Sequence, residues 1–320
     1  METCHILPLG PSSIGKTTLV CSVLDAMRTL FAGRKGGISI QIDNEAALDS
    51  CIRALRPARG TLPARLLEET PKPVTYSVKA GSTAGLLGKV LGNKAALELV
   101  FHDYPGKLVE DLPTFTQEVM GLCDAEVLLV PVDAALFMEA DTPQKEVAAQ
   151  SLHKVAAIEE LIVEWEKGRA RTVGHGLIIF VPMRCEQYFA DNGMQADAAH
   201  ADKLSELVRT RFFSNIIDII TFFGQNINCL YVPVDTLGNC RLTACSWDTK
   251  NPAFETTYTM EGDPRPLGSE MIALFILDYC TRLARQRTPS RTLSEMEKTV
   301  DGFIDEFKEK GQYNRALRLC

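Results

Sequence analysis

Near its start the chain passes from the apolar run CHILPL into GPSSIGKTT, Gly10 to Thr18. Two glycines, a lysine and a hydroxyl stand at the spacing G-x-x-x-x-G-K-[ST], and each type has a task in holding a polyphosphate. Gly10 and Gly15 let the backbone of Ser12, Ser13 and Ile14 turn its N–H groups inward around a phosphate. Lys16 is placed to reach the β and γ phosphates, and the Thr17 hydroxyl to ligate Mg²⁺. The loop opens a helix through Thr18, and a helix N-terminus favours anions. A second group, HDYPG at 102–106, ends the apolar strand LELVFHDYPG. There Asp103 would face the metal, and the turn would bring the Gly106 N–H toward a γ-phosphate. His102 precedes Asp103 on a strand, so it points to the opposite face and reads as a core or supporting histidine.

These residues need a frame, and the pattern along the chain supplies one. CHILPLG (4–10), LELVFHDYPG (97–106), AEVLLVPVD (125–133), HGLIIFVPM (175–183) and INCLYVPVD (227–235) are buried strands. PVTYSVKA (73–80) alternates like a strand with one wet face, and GISIQID (37–43) reads as a strand or an extended loop. Helical spacing marks 15–31, 45–56, 112–123, a long helix over 142–168, and 196–223, 268–287 and about 295–319. The glycine-rich 81–96 reads as a turn region, and 241–266 as irregular or hairpin-like. Apolar strands separated by helices predict an α/β fold: three layers around a mostly parallel sheet, with 73–80 as one antiparallel edge strand. The expected organisation is one domain over 1–287, with an insertion at 32–73, and a helical C-terminal extension over 288–320.

Composition sets outer bounds. The 320 residues are 46% hydrophobic and 23% charged, enough apolar material for a large core. A net charge of -7 argues against a dedicated nucleic-acid binder. Ten scattered cysteines show no clustered metal spacing and read as reduced thiols of a cytoplasmic protein. The richest apolar stretch, 212–234, is interrupted by Asp218 and three asparagines, so no transmembrane segment is expected.

A phosphate loop, then D-x-x-G, then two further apolar strands with loops at their C-terminal ends resembles the order of the Ras-like (TRAFAC-class) P-loop GTPases. More narrowly the chain resembles the bacterial double-GTPase (DO-GTPase) proteins, found in predicted conflict and defence gene neighbourhoods. The features are the enlarged region between first helix and second strand, the DYPG turn and the V-D-T-L-G end of the last strand; the resemblance spans roughly 4–285. It implies a GTP/GDP site with Mg²⁺, Thr17 binding the metal directly and Asp103 through water. The family's base-reading N-K-x-D falls on Met183-Arg184-Cys185-Glu186. Glu186 would accept from guanine N1 and N2 and Arg184 would cover the base, while Met183 replaces the family's Asn. Asp235 and Thr236 open the loop whose amides approach the base.

The resemblance also implies a switch threonine before the alternating strand, Thr70 in preference to Thr75. Where the family often has a water-orienting Gln, this chain has Lys107, followed by Glu110 and Asp111. Slow hydrolysis, or help from a partner's arginine, follows. The arginines at 53, 56, 59 and 65 stand as a solvated face, an arginine finger in cis or a partner surface. Three readings follow: a GTP-hydrolysing switch with an effector or activating protein as partner, a nucleotide-locked scaffold with little turnover, and a P-loop ATPase.

Overall fold

Strands β6 (Val127–Asp133) and β7 (Gly176–Met183) are buried at every position, which only a sheet covered on both faces allows. They lie in the middle of an eight-stranded sheet. The computed structural model of the chain describes residues 1–32, 37–63, 67, 72–82, 95–110, 113–115, 124–172, 175–185, 198–223, 227–310 and 316–319. The other strands are β1 (Glu2–Pro8), β2 (Ile38–Ile42), β3 (Gly60–Thr61), β4 (Val74–Ser82), β5 (Leu97–Asp103), β8 (Ile227–Tyr231), β9 (Cys240–Asp248), β10 (Ala253–Met260) and β11 (Leu317–Arg318). The large sheet runs β2-β4-β5-β1-β6-β7-β8-β11. From β5 to β8 every neighbouring pair is parallel. The sequence-predicted α/β class with a mostly parallel sheet is therefore the fold observed.

β4 is antiparallel to β5, as expected from its alternating pattern. β2 covers its outer side, antiparallel to it, and resolves the 37–43 segment as a strand. On the far edge β11 pairs antiparallel with β8, so the chain returns to the sheet where a helix to 319 was expected. That helix is shorter, Arg291–Glu309, with Ser290 capping its start through a bond from the Leu293 N–H.

Among the described residues the main helices are α1 (Lys16–Phe31), α2 (Glu45–Ala54), α3 (Ala134–Met138), α4 (Pro143–His153), α5 (Val155–Thr172), α6 (Ala198–Glu206), α7 (Ser214–Phe223), α8 (Ser269–Arg287) and α9 (Arg291–Glu309). The one long helix expected over 142–168 is two, because Lys154 between them takes a left-handed φ of 56°. The kink leaves His153 buried beside Phe137 and Phe213. A π-helical turn, Leu207–Phe212, likewise divides 198–223.

Two apolar clusters form the layers. On one face Leu19, Val23 and Met27 of α1 and Ile272 and Ile276 of α8 pack with Ile6, Leu99 and Val127. Met296, Val300 and Phe303 of α9 join the same cluster, the Phe303 ring edge-on to Phe31 at 4.9 Å. Arg282 ties α8 to α9, meeting Asp278, Glu297 and Asp301 each at 2.6 Å. On the other face Ile158, Leu161 and Trp165 of α5 pack with Leu128, Ile178 and Phe180. The 241–266 segment is the hairpin β9–β10, which with β3 makes a separate three-stranded antiparallel sheet.

Candidate functional site

The phosphate-type loop joins β1 to α1 and sits at the C-terminal ends of the parallel strands, where open α/β sheets place ligands. Its turns need the glycines. Gly15 has φ 99°, Ser13 is left-handed at 65°, and a Cβ on Gly10 would come within 2.9 Å of Ile14 Cγ2. Gly15 stands at the cap of α1 and makes no side-chain cap bond of its own. The helix therefore presents its N-terminal amides to the loop.

Lys16 is buried at 6% exposure, and its ammonium donates to the carbonyls of Gly10 at 2.8 Å and Pro11 at 2.9 Å. The Tyr104 ring lies under it, 5.3 Å from Nζ to the centroid. Burial pushes the Tyr104 hydroxyl well above its usual pKa, so the residue stays neutral beside the lysine. The Thr17 hydroxyl donates to Asp103 Oδ2 at 2.7 Å, and Asp103 is 1% exposed. Helix α1 and strand β5 thus bring together the two residues expected to hold a metal.

The 103–106 turn touches the loop itself. A Cβ on Gly106 would fall 2.3 Å from Ser12 N and 2.4 Å from Pro11 C, so only glycine fits there. Lys107 is exposed on the short 3-10 turn that follows. His102 faces away from Asp103, as expected from strand alternation, and its Nε2 lies 2.9 Å from His5 Nδ1. Burial, and then the neighbouring His5, lowers its pKa to about 4.

At the ends of β6, β7 and β8 the arrangement is different. Asp133 caps α3, accepting from the Leu136 N–H at 3.1 Å, and meets Arg184 Nη1 at 3.0 Å. Arg184 Nη2 reaches the Ser13 carbonyl at 3.4 Å, and its backbone is left-handed at φ 61°. Met183 packs on the loop from the same strand end: a Cβ on Gly15 would lie 3.0 Å from its Cε. Asp235 is buried and its Oδ1 accepts from the Gly238 N–H at 2.7 Å, so it braces its own turn; Thr236 is buried beside it. Thr70 and Glu186 lie outside the described residues, as do Asp111 and most of 81–96 and 112–123.

Sequence reading missed Tyr104 and Asp133. Tyr104 lay inside the HDYPG quoted for its Asp and Gly. Asp133 had a signal: three apolar strands end in Asp, at FHD, PVD and PVD, and only the first and last were given tasks.

Among the described residues no helix is long and apolar enough to cross a membrane. No family model matches the chain, and no curated protein matches it either. Similar solved structures include the signal recognition particle receptor SRb-GTP/SRX complex from Chaetomium thermophilum. That match has 14% identity and a TM-score of 0.38, and covers 74% of this chain and 93% of that one. Another is the S. cerevisiae Ski7 GTPase-like domain, bound to GDP and inorganic phosphate. It has 14% identity and a TM-score of 0.34, and covers 73% of this chain but only 43% of the Ski7 chain. Likeness this distant carries neither family nor activity over to this chain.

Proposed function

We propose that this chain is a guanine-nucleotide switch that binds GTP with Mg²⁺ and hydrolyses it slowly to GDP and phosphate. The observation that carries the reading is the 2.7 Å bond from Thr17 to buried Asp103, beside a buried Lys16 at an uncapped helix start. A hydroxyl and a carboxylate are hard oxygen donors, the set Mg²⁺ takes alongside phosphate and water. Mg²⁺ held by Thr17, with Asp103 acting through water, would neutralise charge on the β and γ phosphates. Lys16 adds a fixed cation, and the loop N–H groups and Gly106 would hold the phosphoryl oxygens.

Slow turnover follows from Lys107. It is a cation at the place where the resemblance puts a neutral amide that orients water. The same residue favours a second reading, a nucleotide-locked scaffold with little turnover. Guanine preference rests on Glu186, whose carboxylate suits the N1–H and amine of guanine and repels the N1 acceptor of adenine. Membership of the double-GTPase proteins, a conflict-system role and a protein effector or activator rest on the sequence resemblance.

The test is competition binding of GDP against ADP on wild type and Glu186→Ala, with GTP hydrolysis followed with and without Mg²⁺. A lost charge-assisted contact would cost on the order of 1.5–3 kcal/mol, about ten- to more than a hundredfold in affinity. Wild type should prefer GDP and the variant should lose that preference. Equal affinity of wild type for GDP and ADP sinks the guanine assignment, and an ATP-specific turnover would put an ATPase in its place.

A further inference from the structure

We infer that Asp133 is a positioning residue for the nucleoside half of the ligand, acting by fixing the Arg184 guanidinium beside the phosphate loop; this rests on the nucleotide reading above. The Asp133 carboxylate is nearly buried, with a side-chain exposure of 12%, and both its oxygens are committed. Oδ1 accepts from the Leu136 N–H at 3.1 Å and so is locked to the start of α3, whose residues are all buried. Oδ2 accepts from Arg184 Nη1 at 3.0 Å. On the other side of the same guanidinium, Nη2 points to the Ser13 carbonyl at 3.4 Å. A planar fork held at two of its nitrogens has a fixed plane as well as a fixed place, which a lysine at the same position would not have.

Two further facts give the strut its role. Arg184 holds a left-handed φ of 61°, which costs a non-glycine residue about 1–2 kcal/mol and persists where surrounding contacts over-determine it. Asp133 also cancels most of the arginine's charge, so the pair adds little attraction for phosphate. What remains is a flat, one-third-exposed surface at the end of β7, in the crevice beyond the strand ends that a base must enter once its phosphates lie in the loop. A guanidinium plate of this kind stacks on an aromatic ring.

The test compares Mg²⁺-GDP with Mg²⁺-pyrophosphate by calorimetric titration on wild type, Asp133→Asn, Arg184→Lys and the double variant. Asparagine caps a helix as well as aspartate, so α3 is retained while the charge partner is lost; thermal melting checks that. Asp133→Asn should weaken GDP about tenfold and leave pyrophosphate unchanged or slightly tighter, since a cation is released near the loop. Arg184→Lys should lose GDP affinity to a similar degree, and the double variant should be no worse than either single one. The inference is overturned if Asp133→Asn binds GDP as wild type does. It is equally overturned if GDP and pyrophosphate weaken together, which would make the pair a prop for the loop alone. Wild type that binds neither probe overturns the nucleotide reading itself, and this inference with it.

Discussion

In the proposed nucleotide site, Gly10–Thr17 and Asp103–Gly106 would be the phosphate end, two short contiguous stretches. Its far end would draw on Asp133 at the end of β6, Arg184 after β7 and Asp235 after β8. At the phosphate end Lys16, Thr17 and Asp103 are set by backbone geometry: left-handed Ser13 and Gly15, and Gly106 pressed against Pro11 and Ser12. At the far end a side chain spans the strand ends, Arg184 reaching the Asp133 carboxylate and the Ser13 carbonyl. A backbone cradle constrains residue types at fixed spacing and so leaves a motif in the sequence. A side-chain strut constrains only pairs of distant positions, so one sequence does not display it.

The largest effect that can break this contrast is at Lys16. Its ammonium is buried and already held by the Gly10 and Pro11 carbonyls, so in the proposed site it would meet phosphate with little further loss of mobility. Lys16→Ala should lower GDP affinity by on the order of a hundredfold or more, the size of a buried charge-assisted bond with its partner stranded. Titration of both proteins checks this. Equal affinities would show that the loop is not a phosphate cradle and would remove the phosphate end from the comparison.

Much of the frame was legible because burial on both faces forces unbroken apolar runs. AEVLLVPVD and HGLIIFVPM could be little else than central strands. The break at Lys154 was not legible. Apolar positions run on through it, and only tertiary packing of His153 against Phe137 and Phe213 decides where the helix turns. The return of Leu317 and Arg318 to the edge of β8 was hidden for a similar reason: two residues pair by backbone bonds, which carry little sequence signal. At the site, Thr17 and Asp103 were expected together and are bonded. Asp235 was expected to open a loop whose amides approach the base, and its Oδ1 accepts from the Gly238 N–H of that loop.

A second, smaller effect belongs to the far end. His153 is 1% exposed behind Asp133, whose N–H points to its Nε2 at 3.4 Å. Burial lowers its pKa from an ordinary 6.5 to about 4, against a weaker upward pull from Asp133. The folded state therefore binds fewer protons than the unfolded one between those values, and stability falls as pH drops from about 6.5 to about 4. The loss from this group is on the order of 3 kcal/mol, with no further loss from it at lower pH. Denaturant melts of wild type and His153→Gln across that range should show a shallower slope in the variant, with a residue left by His102. Parallel curves would mean that His153 is charged in the folded protein.

The smallest effect sets a thiol of the phosphate side against one on the hairpin. Cys21 lies one helical turn beyond Thr17 on α1, and Cys51 lies on α2, half-buried. The Cys21 thiol donates to Cys51 and favours its thiolate; this outweighs burial and lowers the Cys51 pKa to about 7. Cys245 on β9 is exposed, but what burial it has, and then the charge of Glu139, raise its pKa. Exposure alone predicts that Cys245 reacts first. Thiolate chemistry predicts the reverse near neutral pH, because a large fraction of Cys51 is ionised there and very little of Cys245 is. The advantage is smaller than the ionised fractions alone suggest, since a less basic thiolate is also a weaker nucleophile. The shape of the pH profile is therefore the sharper readout. Iodoacetamide labelling followed by peptide mass spectrometry should give a Cys51 rate that levels off above about pH 8. The Cys245 rate should still be climbing beyond pH 9. A Cys51 rate that rises in step with Cys245 through that range would show that the Cys21 thiol does not stabilise its neighbour, and that the packing of α2 on α1 beneath Thr17 is looser than the hydrogen bond requires.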